Sequence, residues 1–333
     1  MNTPFRALVC DRLSADLSGV QVRELESTAP ASGEVAIRVR AAALNFPDLL
    51  MTRGLYQFKP ALPFVIGLEG AGEVIELGAG VQHLAIGDHV CFGARTGALA
   101  ERIVLDTQSV RPLPRGFDFA QGAAYRVGAL TAYVALVRRG QLRAGEVLLV
   151  HGAGGGMGMA AVQLGLHLGA TVIATASSDE KLAAVKALGA HHLIRLAGDG
   201  QSASLKEQVQ ALSAGAGADV VFDPVGGDAF DQSVGAIAWG GRLLVVGFAS
   251  GRIPTIDVNL PLIKGFSIIG VRAGEYARRD PAKGAENQQA IEQLAGAGVF
   301  KPHIGARFAL DDGVAALARL SQRKAIGKLV IEI

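Results

Sequence analysis

The spacing of apolar and polar residues changes partway along the chain. EVAIRVRA (34–41) alternates, with Val35, Ile37 and Val39 on one face, which is the period of a half-buried strand. Glycines bracket two more strand-like segments, GAGEVIELGAG (70–80) and IGDHVCFG (86–93), and the prolines of LPFVIG and RPLPRG fall at turns. The first 110 or so residues therefore predict a mostly β domain. Near residue 119 the period becomes helical, in FAQGAAY and then ALTAYVALVRRGQL. Beyond it, strands are predicted at 146–150, 171–176, 191–196, 219–223, 242–247 and 266–271, and helices near 157–168, 179–188, 202–213 and 229–238. Six strands with helical crossovers predict an α/β fold with a doubly wound parallel sheet. The tail is mixed, with helices expected around 286–297 and 311–322 and a last strand in KLVIEI. The six strands already fill the sheet, so this last strand is assigned to the N-terminal domain. The expected division is 1–122 with 275–333, and 123–274.

Residues 151–158 read HGAGGGMG, between the apolar run EVLLV (146–150) and a segment that places Met157, Ala161, Leu164 and Leu168 on one helical face. A strand, a glycine turn and a helix start aim free N–H groups and the positive end of the helix dipole at one spot. A flexible linker would not be flanked so tightly by core elements. A phosphate cradle is the better reading.

Composition narrows the classes further. Of 333 residues, 50% are hydrophobic, 19% are charged and 44 are glycine, which describes a compact chain rather than a disordered one. A net charge of +2, with no basic run interleaved with aromatics, argues against nucleic acid as a partner. Positions 147–178 lack Asp, Glu, Lys and Arg, but their glycines divide them into strand, helix and strand, so a buried sheet centre is expected rather than a membrane span. MNTPFRALVC lacks the apolar core of a signal peptide, and a cytoplasmic location is expected. Cys10 and Cys91 can build neither a disulfide framework nor a structural zinc site, and are read as two buried thiols.

The cradle, Ala153-x-Gly155-Gly156-Met157-Gly158, resembles the AxGGVG loop of medium-chain dehydrogenase/reductases. The resemblance extends through 41–81, which looks like the family's catalytic-domain signature, while GRLLVVGFASG (241–251), NLPLIKGFSIIGV (259–271) and RKAIGKLVI (323–331) resemble the zinc-free quinone oxidoreductase branch. It implies a GroES-like, mostly β catalytic domain beside a Rossmann domain with a six-stranded sheet. Zinc alcohol dehydrogenases of the superfamily carry Cys and His where this chain has Asn45 and Leu68. Leucine offers no lone pair and an asparagine amide is a poor zinc ligand, so no metal is expected. Glu69, beside Leu68, is read as a partner for nearby backbone or an arginine.

NAD-selective sites put a carboxylate about 20 residues past the glycines. Here the corresponding position is Ala176, followed by Ser177, Ser178 and, in the family's phosphate-pairing place, Lys181. The resemblance therefore implies NADPH. Ser177 and Glu180 also fit a local capping box, and Arg195 is either a phosphate clamp or a solvated arginine. By the same resemblance, Asn45, Tyr56 and Thr131 line the nicotinamide, Gly247 and Phe248 lie on its ribose side, and Lys328 takes a basic position near the pyrophosphate. Core packing for Phe248 and a surface charge for Lys328 are the plainer alternatives. Tyr56 is either the proton donor or a rim contact.

The implied activity is zinc-independent, NADPH-dependent hydride transfer to a small electron-poor molecule, a quinone or an α,β-unsaturated carbonyl. The alternatives are an enoyl-thioester reductase and a low-turnover NADPH-binding redox sensor. Relatives carry an aromatic-rich GVYWGAY where this chain has Gly270-Val271-Arg272-Ala273-Gly274-Glu275-Tyr276, which leaves the substrate open. The apolar edge segment FSIIGV, together with the resemblance, implies a homodimer.

Overall fold

A computed structural model describes residues 4–196 and 204–333. The chain opens with β1 (Pro4–Cys10) and β2 (Val20–Glu26), then β3 (Glu34–Ala43), helix α1 (Phe46–Thr52), β4 (Phe64–Val65), β5 (Glu69–Leu77), β6 (His89–Gly93), β7 (Arg102–Asp106) and β8 (Val110–Pro112). Val35, Ile37 and Val39 are buried, and so are Ala36 and Ala41–Ala43. Strand β3 is paired to β5 along one edge and to β7 and the C-terminal strand along the other, and residues of both its faces are buried, so the predicted alternation fades. Helix α2 (Phe119–Tyr133) follows and ends in a wider π-type turn over Val134–Arg139.

Next come β9 (Val147–Val150), α3 (Gly156–His167), β10 (Thr171–Ala176), α4 (Asp179–Ala187), β11 (His192–Arg195), α5 (Leu205–Leu212), β12 (Ala218–Asp223), α6 (Asp228–Ala236), β13 (Ile237–Val245), α7 (Asn259–Lys264), β14 (Ser267–Gly270), α8 (Ala273–Arg279) and α9 (Pro281–Gly296). The six strands form one parallel sheet in the order β11-β10-β9-β12-β13-β14. All six fall on predicted segments, although β13 begins at Ile237 instead of 242. Helix α3 does not show the single packed face expected of it. Met159, Ala160, Ala161, Val162 and Leu164 are all buried, while Met157 and Leu168 are only half-buried, because this helix lies in the middle of its layer. The first two residues of the helix predicted at 202–213 lie outside the described residues.

The tail adds β15 (Ile304–Ala309), α10 (Gly313–Ser321) and β16 (Lys328–Glu332). Strand β16 pairs antiparallel with β3, Val330 opposite Ala43, and parallel with β15. The chain divides into two compact units, one comprising residues up to Val127 together with Pro302–Ile333, the other Gly128–Lys301. The second boundary thus lies beyond the expected 274/275. Helices α8 and α9 stay with the second unit, where Arg138 donates to Asn287 Oδ1 and Glu286, each at 2.7 Å, and Gln163 Nε2 donates to the Lys301 carbonyl at 2.8 Å. Cys10 and Cys91 are free and buried. Among the described residues, no helix is long and apolar enough to cross a membrane.

Candidate functional site

In the second unit the glycine-rich turn joins β9 to α3. The N-cap of α3 is Gly155, and no side chain caps the helix. Its first N–H groups therefore have neither an intrahelical acceptor nor a side-chain substitute, and they point at the turn. Gly158 is required by contact: a Cβ there would lie 2.4 Å from the Gly152 carbonyl oxygen. Ala153 N–H is tied to the Thr175 carbonyl at 3.0 Å, which fastens the turn to β10.

The end of β10 is the second component. Ala176 is buried and pairs in register with Arg195 on β11. The cap of α4 is Ser178, whose hydroxyl accepts from the Lys181 N–H at 3.4 Å. The capping box expected from Ser177 and Glu180 does not form: the cap falls one residue later, Lys181 takes the third helical position, where no carboxylate can complete a box, and Ser177 is exposed. The aliphatic stem of Lys181 runs along the turn, so that a Cβ on Gly154 would meet Lys181 Cβ at 2.6 Å. Arg195 is exposed and ion-paired with Asp179 at 2.7 Å.

His151, directly before the turn, went unremarked in the sequence although it opens the glycine string. It is fully buried, with Nδ1 2.9 Å from Thr175 Oγ1 and Nε2 2.7 Å from Ser233 Oγ. Ser233 donates its one hydroxyl hydrogen to the Ala229 carbonyl, so His151 Nε2–H must be the donor to Ser233, and Nδ1 accepts from Thr175. Burial lowers the His151 pKa to about 4, which keeps the ring neutral. The ring joins β9, β10 and α6 beneath the turn. Asp223, at the end of β12, accepts from the Val225 and Gly226 N–H groups through Oδ1.

Gly247 and Phe248 follow β13, where the Gly247 N–H reaches the Asp223 carbonyl at 3.3 Å. Phe248 is half-buried, and its ring lies over Gly226, where a Cβ would come within 2.9 Å of Phe248 Cδ1. Thr131 is half-buried on α2, one turn beyond Gly128, whose Cβ position faces the Gly156 carbonyl at 3.5 Å.

The first unit holds a different arrangement. Asn45, between β3 and α1, Glu69 at the start of β5 and Lys328 at the start of β16 meet in the interior, exposed by 7%, 0% and 6% respectively. Lys328 Nζ donates to Asn45 Oδ1 at 2.7 Å and to Glu69 Oε1 at 2.8 Å. Lys328 is therefore neither a surface charge nor free to reach a phosphate without leaving two buried acceptors. Glu69 pairs with this lysine and with the Val127 N–H at 2.8 Å, not with an arginine. Asp48, absent from the sequence reading, accepts from the Asn45 N–H at 2.8 Å. Burial pushes its pKa up to about 7, against the opposing pull of that N–H and of Lys328. Tyr56 is half-buried against the first unit's core.

A family model described as the alcohol dehydrogenase GroES-like domain matches residues 31–141, and one described as zinc-binding dehydrogenase matches 156–294. Quinone oxidoreductase-like protein 2 homolog from Nematostella vectensis is 36% identical over 98% of this chain and 88% of its own length. The chain belongs to the medium-chain dehydrogenase/reductases, in their quinone oxidoreductase branch. Two solved structures of similar architecture are mycobacterial Rv1454c complexed with NADPH (TM-score 0.89, 27% identity, 98% of this chain and 100% of that one) and Escherichia coli quinone oxidoreductase complexed with NADPH (TM-score 0.87, 25% identity, 98% and 100%). The two units are thus the GroES-like and Rossmann domains of this superfamily.

The second family model is named for zinc, and the residues here do not suit that ion. Leu68 has no donor atom, the Asn45 oxygen faces an ammonium, and Glu69 is shared by that ammonium and a backbone N–H. Among the described residues, no group of three His, Cys, Asp or Glu side chains could hold a metal.

Proposed function

We propose that this chain is a zinc-independent, NADPH-dependent reductase that delivers hydride to a quinone or an α,β-unsaturated carbonyl. The observation that carries the reading is the pairing of an uncapped glycine turn with a β10 end that has no carboxylate at Ala176 and has Lys181 lying along the turn. Ala153, Gly155, Gly156, Met157 and Gly158 would hold the pyrophosphate, and Ser177, Ser178, Lys181 and Arg195 the 2′-phosphate. The NADPH complexes of the two similar structures support this choice of cofactor.

The bound cofactor supplies the hydride, and the protein's part is to orient and to exclude competing reactions. Asn45, Thr131, Gly247 and Phe248 are assigned to the nicotinamide end. A conjugated acceptor spreads the incoming charge onto its own oxygen and needs no Lewis acid, whereas a simple alcohol does. The donor set around Asn45 and Leu68 favours the former. Tyr56 is the proposed proton source, with a contribution of about 10²-fold.

A homodimer joined at the sheet edge also belongs to this reading, supported by Val258, Leu262 and Ile263, which are 86%, 79% and 66% exposed beside β14. The test is NADPH oxidation against a panel of quinones, enones and primary alcohols, with and without exhaustive chelation. Turnover of quinones or enones that survives chelation is expected; chelator-sensitive alcohol oxidation would refute it.

A further inference from the structure

Asn45 is held in one orientation by its neighbours. It donates both amide hydrogens, to Glu69 Oε1 at 3.0 Å and to the Ala43 carbonyl at 3.3 Å, while its oxygen accepts from Lys328. Turning the amide over would set NH2 against an ammonium and oxygen against a carboxylate. Glu69 is anchored in turn by the Val127 N–H, and all of these groups lie in the interior, where such contacts act strongly.

We propose that Lys328 is a positioning residue: its ammonium, with Glu69, locks the Asn45 carboxamide so that it presents an acceptor. An acceptor of this kind suits the amino group of a nicotinamide carboxamide. The inference rests on the reductase reading in assigning Asn45 to the nicotinamide. It replaces the pyrophosphate role that the resemblance suggested for Lys328.

Lys328→Met alone would strand the Glu69 carboxylate in the interior and could fail to fold. The decisive variant is therefore Lys328→Met/Glu69→Gln, which buries no net charge from this pair, with Lys328→Arg as the conservative partner. Three quantities are measured: NADPH affinity by fluorescence titration, kcat and KM with the best quinone, and the emission of bound NADPH, which needs no second substrate. In the double variant, NADPH affinity should stay within about threefold of wild type while kcat falls by about tenfold or more, and Lys328→Arg should recover part of that loss. Bound NADPH should also change its emission. A wild-type kcat in the double variant would mean that Lys328 only neutralises Glu69, and the proposal fails. Affinity lost about tenfold with kcat intact would return Lys328 to a phosphate contact and also overturn it. If the wild type reduces no quinone or enone, the reductase reading falls separately. Bound NADPH emission then decides the positioning role, and identical emission in wild type and double variant rejects it.

Discussion

Lys181 lies along the glycine turn, and its ammonium is the proposed partner of the 2′-phosphate. Lys181→Ala should weaken NADPH by roughly 1.5–3 kcal/mol, the worth of a charged hydrogen bond, and leave NADH nearly unchanged. Titration of both cofactors against both proteins checks this, and equal wild-type affinities would refute the selectivity. Two buried titratable groups make opposite demands on pH. His151 has its pKa lowered to about 4 from 6.5, so the unfolded state binds more protons between those values. Its contribution is complete above pH 6.5 and is lost as pH falls towards 4, by about 3 kcal/mol in all. Asp48 is raised to about 7 from 3.8, so its contribution is present below 3.8 and lost as pH rises towards 7. Between about pH 4 and 6.5 the two slopes oppose each other. His151→Gln should therefore leave a stability that falls with rising pH in that window, and Asp48→Asn one that rises. Urea unfolding at several pH values reads both slopes, and slopes unchanged from wild type would show that neither group titrates as stated.

At the scale of the element, the β9–α3 turn depends on how closely two stretches of backbone approach. A methyl on Gly158 would lie 2.4 Å from the Gly152 oxygen, while one on Gly155 would lie 3.5 Å from the same atom, an ordinary contact. Gly158→Ala must push the helix start away from the turn. It should cost about 1–3 kcal/mol, the range for overpacking, and weaken NADPH binding, with Gly155→Ala clearly milder in stability. Thermal melts and cofactor titration of the two variants test the contrast. The turn was legible in the sequence because strand, glycines and helix are contiguous there, and the same holds for the six parallel strands, each a short apolar run between helices. The Ser178 cap was read one residue early because Ser177 and Ser178 are equally good caps locally, and only the backbone decides between them. Helices α7 and α8 were missed because both are short and bury no residue completely, so they leave no apolar period.

For the molecule as a whole, the edge of the six-stranded sheet bears on association. Strand β14 ends the six-stranded sheet, and α7 beside it exposes Leu262 and Ile263. Leu262→Glu/Ile263→Glu should shift the proposed homodimer to monomer in light scattering at micromolar concentration, and a wild-type monomer would refute the edge pairing. The family, the αβ alternation, the glycine turn and the missing zinc ligands were all determined by the sequence alone, since each is a local pattern or the identity of a single residue. Position in the layers was not, and α3 is buried more broadly than its apolar stripe implied. Only the tertiary structure decided that α8 and α9 remain with the second unit, α9 and the Lys301 backbone being tied by hydrogen bonds from Arg138 and Gln163, more than a hundred positions away. It alone brought Lys328 to Asn45 and Glu69, which lie 283 and 259 residues from it. No local pattern encodes such a contact: it exists because β16 pairs with β3 and β3 with β5, and that register carries a lysine near the C-terminus into the interior beside a buried carboxylate.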